Sequence, residues 1–326
     1  MSPASQDWQH RPEGGNAVAL RLICRFALAC GRLPARLALY PITLYFLLRR
    51  APERRASRDY LERIHGRPPT RWEVARHMHC FAATILDRVF LLSERYRRFD
   101  IRMFGLEVFA RALQAGRGVL LFGSHLGSFD AIRVLSEGWP DTPVRVVFDL
   151  EQNPALTALL QQLNPRLAST LINVRTGGPA MMLAIKETLD RNGIVALLAD
   201  RARPGEPHAL ADFLGRPAPF PTGPWLLAAA LGAPVALAFG LYRGHNRYDL
   251  HFESFSEGLA QGRIERSERR ARADGCAERF AQRLSVYARL APYNWFNFYD
   301  FWQRSSPPLE ARSPAAHPSD GLVRRS

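Results

Sequence analysis

Apolar residues recur along this chain in three rhythms, each predicting a different kind of element. From Ala17 to Leu48 the sequence is almost continuously apolar, interrupted by Arg21, Arg25, Arg32 and Arg36. At 100° per residue these four fall within about 60° of one another, which predicts a helix with a narrow basic stripe on an apolar body. Pro34 and Pro41 are expected to break it into two or three pieces. A second rhythm, with Val74, Met78, Phe81, Ile85, Val89 and Leu92 at helical spacing, predicts an amphipathic helix over Arg71–Tyr96. From Gly116 the pattern changes to short apolar runs, at Gly118–Gly123, Val144–Phe148, Leu171–Val174 and Ile194–Ala199. Helical stretches near Ser128–Glu137, Asn153–Leu163 and Pro179–Arg191 alternate with them. That alternation predicts an α/β fold with a mixed, mainly parallel sheet flanked by helices.

Further on, Pro234–Tyr242 and Arg247–Glu253 are joined by the turn Gly244-His245-Asn246 and read as an antiparallel hairpin at the sheet edge. Glu265–Leu290 reads as a charged amphipathic helix, followed by the aromatic segment Tyr293–Trp302. Residues 1–16 and 303–326 are rich in turn formers and polar residues and are expected to be an arm and a disordered tail. The expected organisation is therefore an arm with basic amphipathic helices over residues 1–60, a catalytic-type α/β domain over 61–302, and a tail over 303–326.

Composition adds a constraint and a partner class. With 47% hydrophobic and 23% charged residues the chain can bury a sizeable core, which excludes disorder as its main state. Its net charge of +14 favours an anionic partner. Lys186 is the only lysine, so this excess is arginine, and its placement is more informative than its size. The longest charge-free run of the entry segment, Leu37–Leu48, is shorter than the roughly 18–20 residues that a membrane-spanning helix needs. The entry then reads as a helical hairpin in the membrane interface, with arginines reaching anionic headgroups. A hairpin packed on the core with its arginines in solvent, and a single membrane-spanning segment, are the alternatives. The scattered Cys24, Cys30, Cys80 and Cys276 form no C-x-x-C pair and are expected to be reduced. His77 and His79 have no third ligand nearby, so no metal site is expected.

The sharpest local feature is Gly123-Ser-His-Leu-Gly-Ser-Phe-Asp130, directly after the strand-like run and before a helix. Ligands of open α/β sheets bind beyond the carboxyl ends of strands, where this places His125. An imidazole there has the right basicity to accept a proton near neutrality. Asp130, one turn into the next helix, is expected to fold back onto the other ring nitrogen and fix its tautomer, and the flanking glycines to let a substrate approach the backbone. The centre of Gly123–Gly127 is a histidine and not a serine, which argues against Ser124 as a hydrolase nucleophile. On position alone, catalysis and a structural loop histidine both remain open.

The motif and its downstream companions resemble the glycerolipid and lipid A acyltransferase superfamily, which carries His-x4-Asp/Glu followed by three further blocks. Ile172-Asn-Val-Arg175 is similar to the second block, Ile194–Asp200 with Arg201 to the third, and Gly232-Ala-Pro234-Val-Ala-Leu to the fourth. The closest likeness is to the lipid A late acyltransferases of Gram-negative bacteria, over about residues 17–302. It includes Phe220-Pro-Thr-Gly-Pro224 and the pair Trp295-Phe296. Two places depart from that pattern: Asp200-Arg201 stands where Asp-Gln is common, and Asp300 lies where basic residues are.

The resemblance implies O-acyl transfer from an acyl-acyl carrier protein to a hydroxyl of a lipid A-type or other amphiphilic acceptor, on the cytoplasmic face of the inner membrane. His125 and Asp130 would be catalytic. Arg175, Asp200, Arg201, Gly127, Thr222 and Gly223 would bind substrate, the arginines through phosphate and Thr222-Gly223 as a helix start suited to anions. An Arg175–Asp200 ion pair that only joins neighbouring strand ends, and a purely structural turn at Thr222–Pro224, are the alternatives. No metal or other resident cofactor is implied, because the donor's phosphopantetheine belongs to the carrier. The partners implied are acyl carrier protein and anionic membrane lipids, with no nucleic acid. The alternatives are an esterase or thioesterase using the same acid–base pair on water, and acylation of an ornithine-type or polyene lipid.

Overall fold

The computed structural model describes residues 17–93, 95–135, 139, 141–151, 154–203, 205–255 and 266–302. The expected arm and tail lie outside the described residues. Four helices precede the sheet: α1 (Ala17–Cys30), α2 (Arg32–Arg49), α3 (Ala51–His65) and α4 (Arg71–Leu92). The break in the apolar entry falls at Gly31, whose φ of +88° ends α1, and not at the prolines. Pro34 sits in the first turn of α2, where its missing N–H removes no intrahelical bond, and Pro41 is carried inside the helix. The start of α4 is set by sequence: Thr70 and Glu73 form a reciprocal capping box that satisfies two otherwise orphaned amides.

The main remaining elements, short helical turns aside, are β1 (Asp100–Phe104), α5 (Glu107–Gln114), β2 (Val119–Gly123), a 3₁₀ turn at Phe129–Val134, β3 (Val144–Phe148) and α6 (Pro154–Leu163). They continue with β4 (Leu171–Asn173), α7 (Gly178–Asp190), β5 (Ile194–Leu198), β6 (His208–Phe213), β7 (Arg216–Pro221), α8 (Gly223–Leu231), β8 (Val235–Gly244), β9 (Arg247–Ser254) and α9 (Arg266–Leu290). The main sheet has seven strands in the order β1-β9-β8-β2-β5-β3-β4, and β6-β7 form a separate antiparallel hairpin. Every neighbouring pair in the main sheet is parallel except β8–β9. The expected mixed, mainly parallel sheet is therefore present. Its hairpin is not the edge, however, because β1 adds outside β9.

Strand residues alternate between two apolar layers, as the twofold period of a strand requires. Val119, Leu121, Ile194, Ala196, Ala236 and Ala238 face a layer built from α1, α2, α4 and α5. Leu120, Phe122, Val195, Leu197, Leu237 and Phe239 face the other layer, with Trp225 of α8, Phe280 and Leu284 of α9, and Phe213 and Phe220 of the hairpin. All five residues of β2 are buried, as expected of a central parallel strand covered on both faces. The aromatic segment belongs to this second layer: Trp295, Phe301 and Trp302 are buried around Phe213. Burying side chains of that size contributes on the order of 2–3 kcal/mol each.

The entry helices reverse the expected orientation. Arg32 and Arg36 point inward, to the buried Asp87 of α4, and Arg36 also donates to the Tyr242 hydroxyl at 2.7 Å. The side chain of Arg21 lies outside what is described, and Arg25 is exposed. The outward stripe is apolar instead: Leu22, Phe26, Leu33, Leu37, Tyr40, Leu44, Tyr45 and Leu48 are all exposed. Asp87 is the cause, because a buried carboxylate needs cationic partners and draws the arginines in. Among the described residues no helix is long and apolar enough to cross a membrane.

Candidate active site

β2 and β5 lie side by side with Gly123 opposite Leu198. Two residues beyond that register point, on each chain, stand His125 and Asp200. The Asp200 carboxylate is fully buried and holds the histidine twice: Oδ1 accepts from the ring Nδ1 at 2.8 Å, and Oδ2 accepts from the His125 backbone N–H at 3.0 Å. This arrangement fixes the proton on Nδ1 and leaves Nε2 as the basic nitrogen. Burial pushes the His125 pKa down, the nearby Arg201 charge adds to that, and Asp200 offsets only part of it. For Asp200 burial acts upward, but His125, Arg201 and the backbone amide together hold the carboxyl below its usual range. The pair is thus a neutral imidazole beside an ionised carboxylate.

Asp130 does not reach the imidazole. Its carboxylate accepts from Nε of Arg88, on α4, at 2.6 Å. The 3₁₀ turn that carries Asp130 packs against α4, which offers a full charge, whereas Nδ1 of His125 is already taken by Asp200. The expected His125–Asp130 hydrogen bond is therefore replaced by two separate pairs, His125–Asp200 and Arg88–Asp130.

The loop around the histidine is fastened from both sides. Phe296 N–H donates to the His125 carbonyl at 2.9 Å and Gly127 N–H to the Asn294 carbonyl at 2.7 Å, so the aromatic segment runs antiparallel across the loop. Ser128 N–H donates to the Gly240 carbonyl at 2.8 Å. Gly127 has φ +69°, and a Cβ there would lie 1.8 Å from the Gly240 carbonyl oxygen. A Cβ on Gly123 would lie 2.3 Å from the Phe129 ring. The close approach of neighbouring protein is by itself enough to require glycine at both positions.

The other expected site residues divide. Arg201 donates to the Asn297 side-chain oxygen and, at 2.8 Å, to the Phe296 carbonyl, with its guanidinium over the Tyr299 ring. It ties the end of β5 to the aromatic segment. Arg175 pairs with Asp149 at 3.2 Å and with Glu151, and Arg203 joins the same Asp149. Arg175 and Asp200 are not paired with each other: β3 lies between their strands, Arg175 is on Asp149 and Glu151, and Asp200 is on His125. Thr222 spends its hydroxyl and its amide on the Pro207 carbonyl, each at 3.1 Å, and Gly223 begins α8 beside it. Arg88, Asp149, Arg203 and Asn297 carry no sequence signal of their own. Each is an ordinary polar residue on an element whose neighbours only the fold reveals.

The profile of the bacterial lipid A biosynthesis acyltransferase family matches residues 78–304, more than half of the chain and all of the site just described. The chain belongs to that family. No curated protein matches it. Membership of a family of acyltransferases in lipid A biosynthesis makes acyl transfer the class of chemistry to which the His125–Asp200 pair is to be fitted.

Proposed function

We propose that this chain moves a fatty acyl group from an acyl-acyl carrier protein thioester to a hydroxyl of a lipid A-type or related amphiphilic acceptor, on the cytoplasmic face of the inner membrane. The single observation that carries the reading is the His125–Asp200 pair at adjacent strand ends, in a chain of this family. Nε2 of His125 takes the acceptor's hydroxyl proton as the oxygen attacks the thioester carbonyl carbon. The carbonyl π electrons move onto oxygen. Collapse of that oxyanion re-forms C=O and breaks the C–S bond, and the thiolate leaves with the proton held on Nε2. General base assistance of this kind contributes about 10²–10⁴-fold. No acyl-enzyme is needed.

The net charge of +14 suits an acidic carrier. The apolar outer stripe of α1 and α2, with exposed Arg25, Arg49, Arg55 and Arg58 on and beyond it, favours a helix pair lying in an anionic bilayer surface. In this reading the leucines and tyrosines enter the membrane, and the exposed arginines meet headgroups. The test is incubation of the purified chain with lauroyl-acyl carrier protein and a panel of lipid A precursors, lysophospholipids and lyso-ornithine lipid, read by lipid mass spectrometry. Acceptor-dependent ester formation that disappears in His125→Ala supports the proposal. Free fatty acid released without any acceptor would make the chain a thioesterase.

A further inference from the structure

Attack on a thioester places a negative charge on the former carbonyl oxygen, and that charge needs donors. Three amides of the histidine loop are already committed: His125 N–H to Asp200, Gly127 N–H to Asn294 and Ser128 N–H to Gly240. Arg201 directs Nε and one terminal nitrogen to Asn297 and Phe296. Arg88 is placed differently. Its Nε is held by Asp130 at 2.6 Å, and among the described residues neither terminal nitrogen has a partner. Its side chain is 28% exposed, beside 29% for His125 and 19% for Asp130, so all three reach solvent.

We propose that Arg88 is a catalytic residue that binds the oxyanion through its terminal N–H groups, and that Asp130 is the positioning residue that aims it. The inference rests on the acyl-transfer reading above. It gives the carboxylate five residues after the histidine a role that does not require contact with the imidazole. A guanidinium gripped at Nε presents its remaining N–H groups in a fixed fork, which suits an oxygen that gains charge only in the transition state. The Arg88 charge also acts on His125, helping to keep the imidazole neutral.

The experiment is steady-state kinetics of the full chain on lauroyl-acyl carrier protein and whichever acceptor of the panel turns over. Arg88→Ala should lower kcat by roughly 10²–10³-fold, the usual cost of one oxyanion donor, with KM within about threefold of wild type. Guanidinium chloride at millimolar concentration should restore part of that activity. Asp130→Asn should lose less, and the double variant should be no worse than Arg88→Ala alone, because the two act as a unit. Should the alanine variant not fold, Arg88→Lys decides the matter: kcat reduced about tenfold at unchanged KM supports the inference, since lysine keeps the charge but loses the fork. An undiminished kcat in a folded Arg88 variant, or a loss confined to KM, overturns it and leaves acyl transfer standing. Activity surviving in His125→Ala overturns the reading beneath it.

Discussion

Asp200 gives both of its oxygens to His125, one to the ring and one to the backbone amide, across two neighbouring parallel strands whose ends lie level. The carboxylate therefore controls the rotamer, the tautomer and the loop position of the histidine together. Replacing it with asparagine keeps the volume but removes the charge that stabilises the imidazolium, and it permits the wrong tautomer. Asp200→Asn should lower kcat by about 10³–10⁴-fold, as such changes do in comparable triads. Asp130→Asn should cost clearly less. The measurement is kcat for both variants on the same substrates; equal losses, or a larger one for Asp130, would count against the assignment.

The pH profile follows from the direction of the His125 shift. The base must be neutral to accept a proton, and its folded-state pKa is depressed by burial and by Arg201. The acid limb of kcat/KM should therefore lie below the ordinary histidine value of about 6.5. Removing a nearby positive charge, as in Arg88→Ala, should move that limb upward. A limb at or above 6.5 in the wild type would contradict the electrostatics described.

His77 offers a stability test separate from catalysis. It is fully buried, donating from Nε2 to the Trp295 carbonyl and accepting on Nδ1 from Ser57, and burial lowers its pKa from 6.5 to about 4. Below pH 6.5 the unfolded chain takes up a proton that the folded chain refuses, so this contribution to stability is complete above that pH. It is lost as pH falls towards 4, by up to about 3 kcal/mol at 1.36 kcal/mol per pKa unit. Urea denaturation at pH 7 and pH 4.5 should show a large drop in the wild type. A smaller drop is expected in His77→Phe, although that variant starts from lower stability.

Gly127 combines a left-handed φ with a carbonyl pressed against it. Gly127→Ala should cost on the order of 2–4 kcal/mol from overpacking and backbone strain together, and should displace His125. Thermal melting and activity should fall together.

The entry helices predict opposite outcomes for two sets of substitutions. Charge reversal at Arg32 and Arg36 should unfold or strongly destabilise the protein by leaving Asp87 buried without its cations, a loss of about 3–5 kcal/mol. Leu33→Ser, Leu37→Ser, Leu44→Ser and Leu48→Ser together should leave the fold intact and release the chain from anionic vesicles in a sedimentation assay. Release by the arginine changes in a protein that keeps its melting temperature would restore the basic-stripe orientation.

Several features of this protein follow from local sequence, because they depend on near neighbours. The period of the apolar residues sets the strands and helices, the Thr70–Glu73 spacing sets the start of α4, and a short apolar run followed by a histidine between glycines places His125 at a strand end. Strand order decides the rest. Asp130 is five residues from His125 and Asp200 is seventy-five, yet β5 packs beside β2, so the distant carboxylate takes the ring nitrogen and Arg88 takes the near one. The same holds for the arginine stripe, whose spacing was legible but whose direction depended on Asp87, a single buried carboxylate on another helix. Periodicity records which residues share a face; the partner across the fold, and the cost of leaving a buried charge alone, decide which way that face turns.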